Sequence, residues 1–140
     1  MINRFTDDNA FLNDFWACPV SYEGMSFLNV GQAFVASKTN DRNERVSICH
    51  IGTAREVMLY GQKMKPRPEA EEILIKEELY RQKFSYPVLA AKLLATLPND
   101  LVDGHDWISD PAMLFWQYDL KREKGSNQNG ILMMQIRSRL

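Results

Sequence analysis

Apolar residues along this chain recur mainly at intervals of three and four, the spacing that lines one face of an α-helix. The clearest case closes the chain. Gly125, Asn127, Asn129 and Gly130 make a polar loop, and the apolar run from Ile131 through Ile136 ends at Arg137. This predicts a loop feeding a buried C-terminal helix. Asn29, with Gln32 three residues on, predicts a capped helix that buries Val30, Ala33, Phe34 and Ser37. The small residues Gly31, Ala33, Ala36 and Ser37 let a neighbour pack closely against it. Thr53 predicts a second cap, for a helix through Ala54, Val57, Met58 and Tyr60 that Gly61 ends. Pro68 suits the first turn of a long helix from Glu69 to about Phe84. Its acidic start (Glu69, Glu71, Glu72) and basic end (Lys76, Arg81, Lys83) match the helix dipole. The apolar stripe of that helix is narrow, along Ile73, Leu74, Glu77 and Tyr80. Glu77, Glu78, Arg81 and Gln82 read as a solvated face. Pro87 opens a further helix, with Leu89, Leu93 and Leu94 inward, that stops before Pro98.

Strand signals are confined to one place. Pro19-Val20-Ser21-Tyr22, a turn at Glu23-Gly24 and Met25-Ser26-Phe27 predict a short hairpin. Arg42 to Ile51 fits helix or strand. Asn99 to Asn129 reads mostly as loop and short turns, a length usually associated with function or disorder. Its aromatic residues Trp107, Phe115, Trp116 and Tyr118 argue against disorder. The predicted fold class is therefore mainly α with a small β element (α+β), in a single compact domain spanning residues 1–140.

Composition narrows the function classes. A chain of 140 residues buries about two thirds of its unfolded surface, enough for one core. With 45% hydrophobic and 25% charged residues it is an ordinary globular sequence. Seventeen basic against eighteen acidic side chains argue against a polyanion-binding surface as its main business. Two cysteines and two histidines in no ligand-like spacing predict no metal site. The first residues hold no apolar core of signal-peptide length, and no run of eighteen apolar residues occurs. These features predict a soluble cytoplasmic protein with reduced thiols and no membrane role.

Several residues could carry chemistry. Lys38 stands at the exit of the small-residue helix, where a partly desolvated amine is a candidate nucleophile. Read from the residues alone, it is more readily a surface lysine complementing a helix C-terminus. Asp110 is a candidate carboxylate, although Ser109-Asp110-Pro111 serves as well for a helix cap. Asp106 is its rival. Trp116 can stack on a base or anchor a core. Asn127 and Asn129 can hydrogen-bond a ribose, a phosphate or their own loop. Arg137 can pair with a ligand phosphate or with a structural carboxylate.

Taken in order, these pieces form a pattern: Phe11-Leu12-Asn13-Asp14-Phe15 with Pro19, the helix ending at Lys38, Lys83-Phe84, Leu93-Leu94-Ala95-Thr96, Leu101-Val102-Asp103, Phe115-Trp116 and the C-terminal glycine–asparagine loop. The order resembles the YbiA-like, or NADAR, family of N-glycosidases over residues 11 to 140. That family runs FLSNF-x-P, VEH-xx-QA-x-K, KF, LL-x-T, LVE, D-x-x-WG and G-x-N-x-LG-x-LM-x-x-R. The resemblance implies an N-glycosidase acting on riboflavin-pathway intermediates or on ADP-ribose attached to a guanine base. Lys38 would be its Schiff-base nucleophile, with no cofactor and no metal. Asp110 or Asp103 would assist, Asp103 standing where the family has the glutamate of LVE. Asn13, Asp14, Trp107, Trp116, Asn127, Asn129 and Arg137 would bind the ligand. Partners would be a small nucleotide or ribosylated base, with ADP-ribosylated nucleic acid as a further class.

The departures matter as much. Gly31 and Gln32 stand where the family has the glutamate and histidine of VEH. Ala70 (or Pro68, aligned backwards from Lys83-Phe84) replaces a tryptophan, and Gln117 replaces the glycine after Trp116. Loss of one group that stabilises a transition state commonly costs about a hundredfold or more in rate. Two readings follow: a working N-glycosidase, or a catalytically degenerate protein that binds an ADP-ribose-like nucleotide or a protein partner without turnover.

Overall fold

A computed structural model describes residues 1–140. After a 3-10 turn over Asp7–Leu12, the elements in chain order are β1 (Val20–Tyr22), β2 (Met25–Phe27), α1 (Val30–Ala36), α2 (Arg42–Cys49), α3 (Ala54–Gln62), α4 (Glu69–Lys83), α5 (Pro87–Leu94), β3 (Gly104–His105), α6 (Met113–Trp116), β4 (Tyr118–Asp119) and α7 (Gln128–Arg137). The strands form two separate pairs, β1–β2 and β3–β4. The class is α+β, mainly helical with a small β component. No helix is long and apolar enough to cross a membrane. The chain divides into two units, Asp14–Lys83 and the two ends Met1–Asn13 with Phe84–Leu140.

In the unit Asp14–Lys83, the hairpin pairs Val20 with Phe27 across an antiparallel register, and both side chains are buried. Glu23 and Gly24 take left-handed angles (φ 46° and 80°), the turn that matches the twist of two short strands. The edge of β1 is covered by a side chain: Ser21 N–H donates to Gln82 Oε1 at 2.7 Å, and Gln82 Nε2 donates to Ser21 O at 2.9 Å. Thus Gln82, expected on a solvated face, closes a sheet edge instead.

Helix α1 is the centre of this unit. Asn29 Oδ1 accepts from Gln32 N at 2.8 Å, so the cap forms. Gln32 turns its side chain outward from α1, accepting from Leu28 N and donating to the carbonyls of Ile48 and Cys49. That ties the start of α1 to the end of α2. All seven residues of α1 are buried, because α2, α3, α4 and the hairpin surround it. The ambiguous segment from Arg42 is helical; Asp41 caps it through the N–H groups of Asn43 and Glu44. Thr53 caps α3 as expected, but Gly61 does not end it. A Cβ at Gly61 would stand 2.9 Å from Val35 Cγ2, so the glycine serves close packing of α3 on α1 rather than termination.

The largest correction concerns α4. Leu74 is 66% exposed, and the buried positions are Glu72, Lys76, Leu79, Tyr80 and Lys83. Their spacing is one helical face, yet three of the five are charged residues.

In the unit Met1–Asn13 with Phe84–Leu140, α7 packs on α5 and α6. Leu89 and Leu93 of α5 are buried as expected, whereas Leu94 is half exposed, one position round the helix from that face. The N-terminus adds a backbone ladder: Ile2 N donates to Asp100 O, and Val102 N donates to Ile2 O. The stretch expected to be loop is organised by β3, β4, α6 and the buried Asp119. That carboxyl accepts from the backbone N–H groups of Ile108 and Arg122 and from Arg122 Nε at 2.7 Å. Burial pushes Asp119 up, but these donors and the Arg122 charge outweigh it and hold the group at about 2 against 3.8.

A depressed acid stabilises the fold above its unfolded value and loses that contribution as pH falls through the folded one. Melting temperature should therefore drop between about pH 4 and about pH 2. In Asp119→Asn the same acid limb should be flatter. An equally steep limb in the variant would assign the acid loss to another group.

Candidate functional site

Helices α1 and α4 run antiparallel. Arg67, just before α4, donates through Nε to Ser37 O at the end of α1 (2.6 Å) and through Nη2 to Asn40 Oδ1. Further along α4, Lys76 and Tyr80 reach Asp14, whose carbonyl accepts from Gly31 N near the start of α1. Between these two ties lies a polar cluster. Lys76 Nζ contacts Asp14 Oδ2 at 2.7 Å with both side chains largely buried (4% and 15% exposed), and Tyr80 Oη donates to Asp14 Oδ1 at 2.6 Å. Lys76 Nζ also sits 4.4 Å from the Phe34 ring centroid. Lys38 Nζ lies 5.6 Å from that same ring, so two amines lie near one aromatic side chain. Lys38 itself is half-buried, with its backbone N–H closing the last turn of α1 on Val35 O.

Burial raises the Asp14 carboxyl, but the Lys76 charge, hydrogen bonds from Lys76 and Tyr80, and the Lys83 charge together bring it below its ordinary 3.8. Asp14 is thus an ionised partner held in place. The space beside Gly31 is filled: a Cβ there would stand 2.6 Å from the Phe15 ring. Phe15 occupies the volume that a side chain there would need. Ala70 is exposed on the first turn of α4.

A second cluster belongs to the other unit. Asn127, in a left-handed conformation (φ 50°), bridges two backbone groups: its Nδ2 donates to Leu101 O and its Oδ1 accepts from Asp103 N. Asn129 is buried and donates through Nδ2 to Asp103 Oδ2 at 2.9 Å, while His105 Nε2 lies 3.0 Å from Asp103 Oδ1. Three of the sequence candidates, Asp103, Asn127 and Asn129, are therefore brought together. Gly130 follows from the same close approach, since a Cβ there would collide with the Leu101 carbonyl and the Asn127 amide. Gly130→Ala should cost about 2 kcal/mol of stability, read by urea unfolding, because backbone rather than a flexible side chain must move. A neutral result would mean that the Leu101–Asp103 segment yields freely.

The remaining candidates lie apart from one another in local structure. Asp110 Oδ1 accepts from Ala112 N at 3.0 Å, a turn just before α6. Asp106 is exposed and pairs with Arg4. Trp107 is 65% exposed, with the Arg122 guanidinium 4.0 Å from its ring centroid. Trp116 is 5% exposed and meets Phe115 edge-to-face at 4.9 Å. Arg137 Nη1 donates to Thr96 Oγ1 and Asn99 O, tying the end of α7 to the loop after α5. Asn13 caps the 3-10 turn through its N–H to Ala10 O. No group of three or more histidine, cysteine, aspartate or glutamate side chains is assembled as a metal cage.

Sequence reasoning missed Phe34, Lys76 and Tyr80 as neighbours, and the burial of Glu72. The available signal was the spacing Glu72, Lys76, Tyr80 on one helical face, which a solvated charged stripe reproduces equally well.

This mainly helical α+β fold is one already seen in a solved protein. The chain is similar to the NMR structure of the E. coli protein YbiA, with TM-score 0.77 and 24% sequence identity over 99% of this chain and 86% of that one. At that identity the likeness establishes the fold. No family model matches the sequence, and no curated protein matches it.

Proposed function

We propose that the chain is a hydrolase of N-glycosidic bonds, acting on a ribosyl phosphate or an ADP-ribose-linked base in the cytoplasm, with Lys38 as nucleophile. The observation that carries this reading is the cluster on the α1–α4 face: Lys38 and Lys76 against Phe34, with Asp14 and Tyr80 behind. Burying charge between two helices costs stability unless every group is well paired, and such arrangements concentrate where chemistry is done. In the proposed reaction, Lys38 Nζ as the free amine forms a bond to the anomeric carbon as the bond to the base breaks, and the base leaves with the proton the nitrogen gives up. The ring C–O bond then opens, the ring oxygen taking a proton, to give an iminium that water hydrolyses, regenerating the amine and releasing the sugar. No metal or redox cofactor enters these steps.

One observation favours a second reading, binding without turnover. With Phe15 against Gly31 there is no room for a carboxylate where the family places one.

The test is borohydride trapping during incubation with ADP-ribose, ADP-ribosylated guanosine and ribosylamino-pyrimidine phosphates. The enzyme reading expects released base and a ribose-derived mass adduct on the Lys38 peptide. A thermal shift with no adduct and no released base would leave the binding reading.

A further inference from the structure

Glu72 is 8% exposed, and its Oε2 is a buried side-chain oxygen with no hydrogen-bond partner. Buried polar atoms almost always find a donor, so an orphan calls for an explanation. Glu72 lies one turn before Lys76 on the same buried stripe of α4. Because α4 runs antiparallel to α1, Glu72 falls between Arg67, tied to Ser37, and Lys76, set against Phe34. That is the level of the last turn of α1, from which Lys38 emerges. A leucine at this position would fill the space without an orphaned oxygen, so packing does not account for a carboxyl here.

Resting on the ribosyl reading above, we infer that Glu72 accepts hydrogen bonds from the hydroxyls of the bound sugar. The site then selects ribosyl compounds with a free vicinal diol over 2-deoxyribosyl ones. Oε2 requires a donor, and a cationic ligand group would have to lie beside the Lys76 ammonium one turn along α4. A neutral hydroxyl meets no such repulsion. A site built to bond a substrate hydroxyl also rejects the analogue lacking it, because its own buried group is then left unpaired.

The experiment uses the full chain with ribose 5-phosphate and 2-deoxyribose 5-phosphate, binding measured by calorimetry and stability by thermal melting. The wild type should prefer the ribose compound by about tenfold to a hundredfold. Glu72→Leu should lose that preference with little change toward the deoxy compound, and Glu72→Gln, which keeps an acceptor, should retain part of it. Without ligand, both variants should melt about 3 °C higher, since an orphaned buried oxygen is removed or neutralised. Retained preference in Glu72→Leu overturns the inference alone, as does a lower melting temperature in both variants. A wild type that binds neither sugar phosphate overturns it together with the ribosyl reading. A Lys38 adduct beside an unchanged preference spares that reading.

Discussion

Lys38→Ala should abolish turnover, by about a thousandfold or more, as removal of a covalent nucleophile does. Its melting temperature should stay near that of the wild type. The side chain is half-buried and follows the last residue of α1, and its ring contact with Phe34 at 5.6 Å is of the kind worth about 0.5–1 kcal/mol. Lys38→Arg sharpens the test. Arginine keeps the positive charge and the aromatic contact but presents no amine able to form an iminium. If Lys38 acts covalently, both variants are inactive, and neither gives a borohydride-trapped adduct. If it acts only as a positive charge, Lys38→Arg keeps most of the rate. Full activity in the arginine variant would therefore remove the Schiff-base mechanism.

The second large effect concerns stability. Lys76→Met should destabilise the protein by about 3 kcal/mol, because it leaves Asp14 ionised and largely buried with only the Tyr80 hydrogen bond and the more distant Lys83 charge. Asp14→Asn should cost a similar amount by stranding the Lys76 ammonium. The double variant should be less destabilised than the sum of the two, with a coupling of about 2 kcal/mol in urea unfolding. The pH dependence has a definite sign. Asp14 is held below 3.8, so the pair contributes fully above that value and loses its contribution as pH falls through the lower, folded one. The gap between wild type and Lys76→Met should narrow accordingly in strong acid. A gap independent of pH would mean that the packing of the lysine stem, rather than its charge, is what the substitution removes.

Local signals were legible wherever one short segment satisfies its own backbone. The Glu23-Gly24 turn, the Asn29 and Thr53 caps and the glycine–asparagine entry to α7 each depend on residues within three or four positions of one another. Such signals survive in sequence because the competing conformations are also local. Lys38 at the exit of a small-residue helix was legible for the same reason, and so was the burial of α1. Gly61 was misread because a glycine that stops a helix and one that admits a neighbouring helix look alike along the chain. Only the approach of Val35 distinguishes them.

The sequence by itself thus determined the α+β class, most helix boundaries and the hairpin, all consequences of hydrophobic periodicity and capping chemistry. Which face of α4 is buried was decided by the tertiary structure alone. Glu72, Lys76 and Lys83 read along the chain as charges matching the helix dipole, and their burial beside Leu79 and Tyr80 follows only when Asp14, Phe34 and the antiparallel α1 are set against them. The same holds for Asn127 and Asn129, which converge on the Leu101–Asp103 segment from more than twenty residues away. Burial of a charge becomes tolerable only through a specific partner, and partners distant in sequence leave no periodic trace.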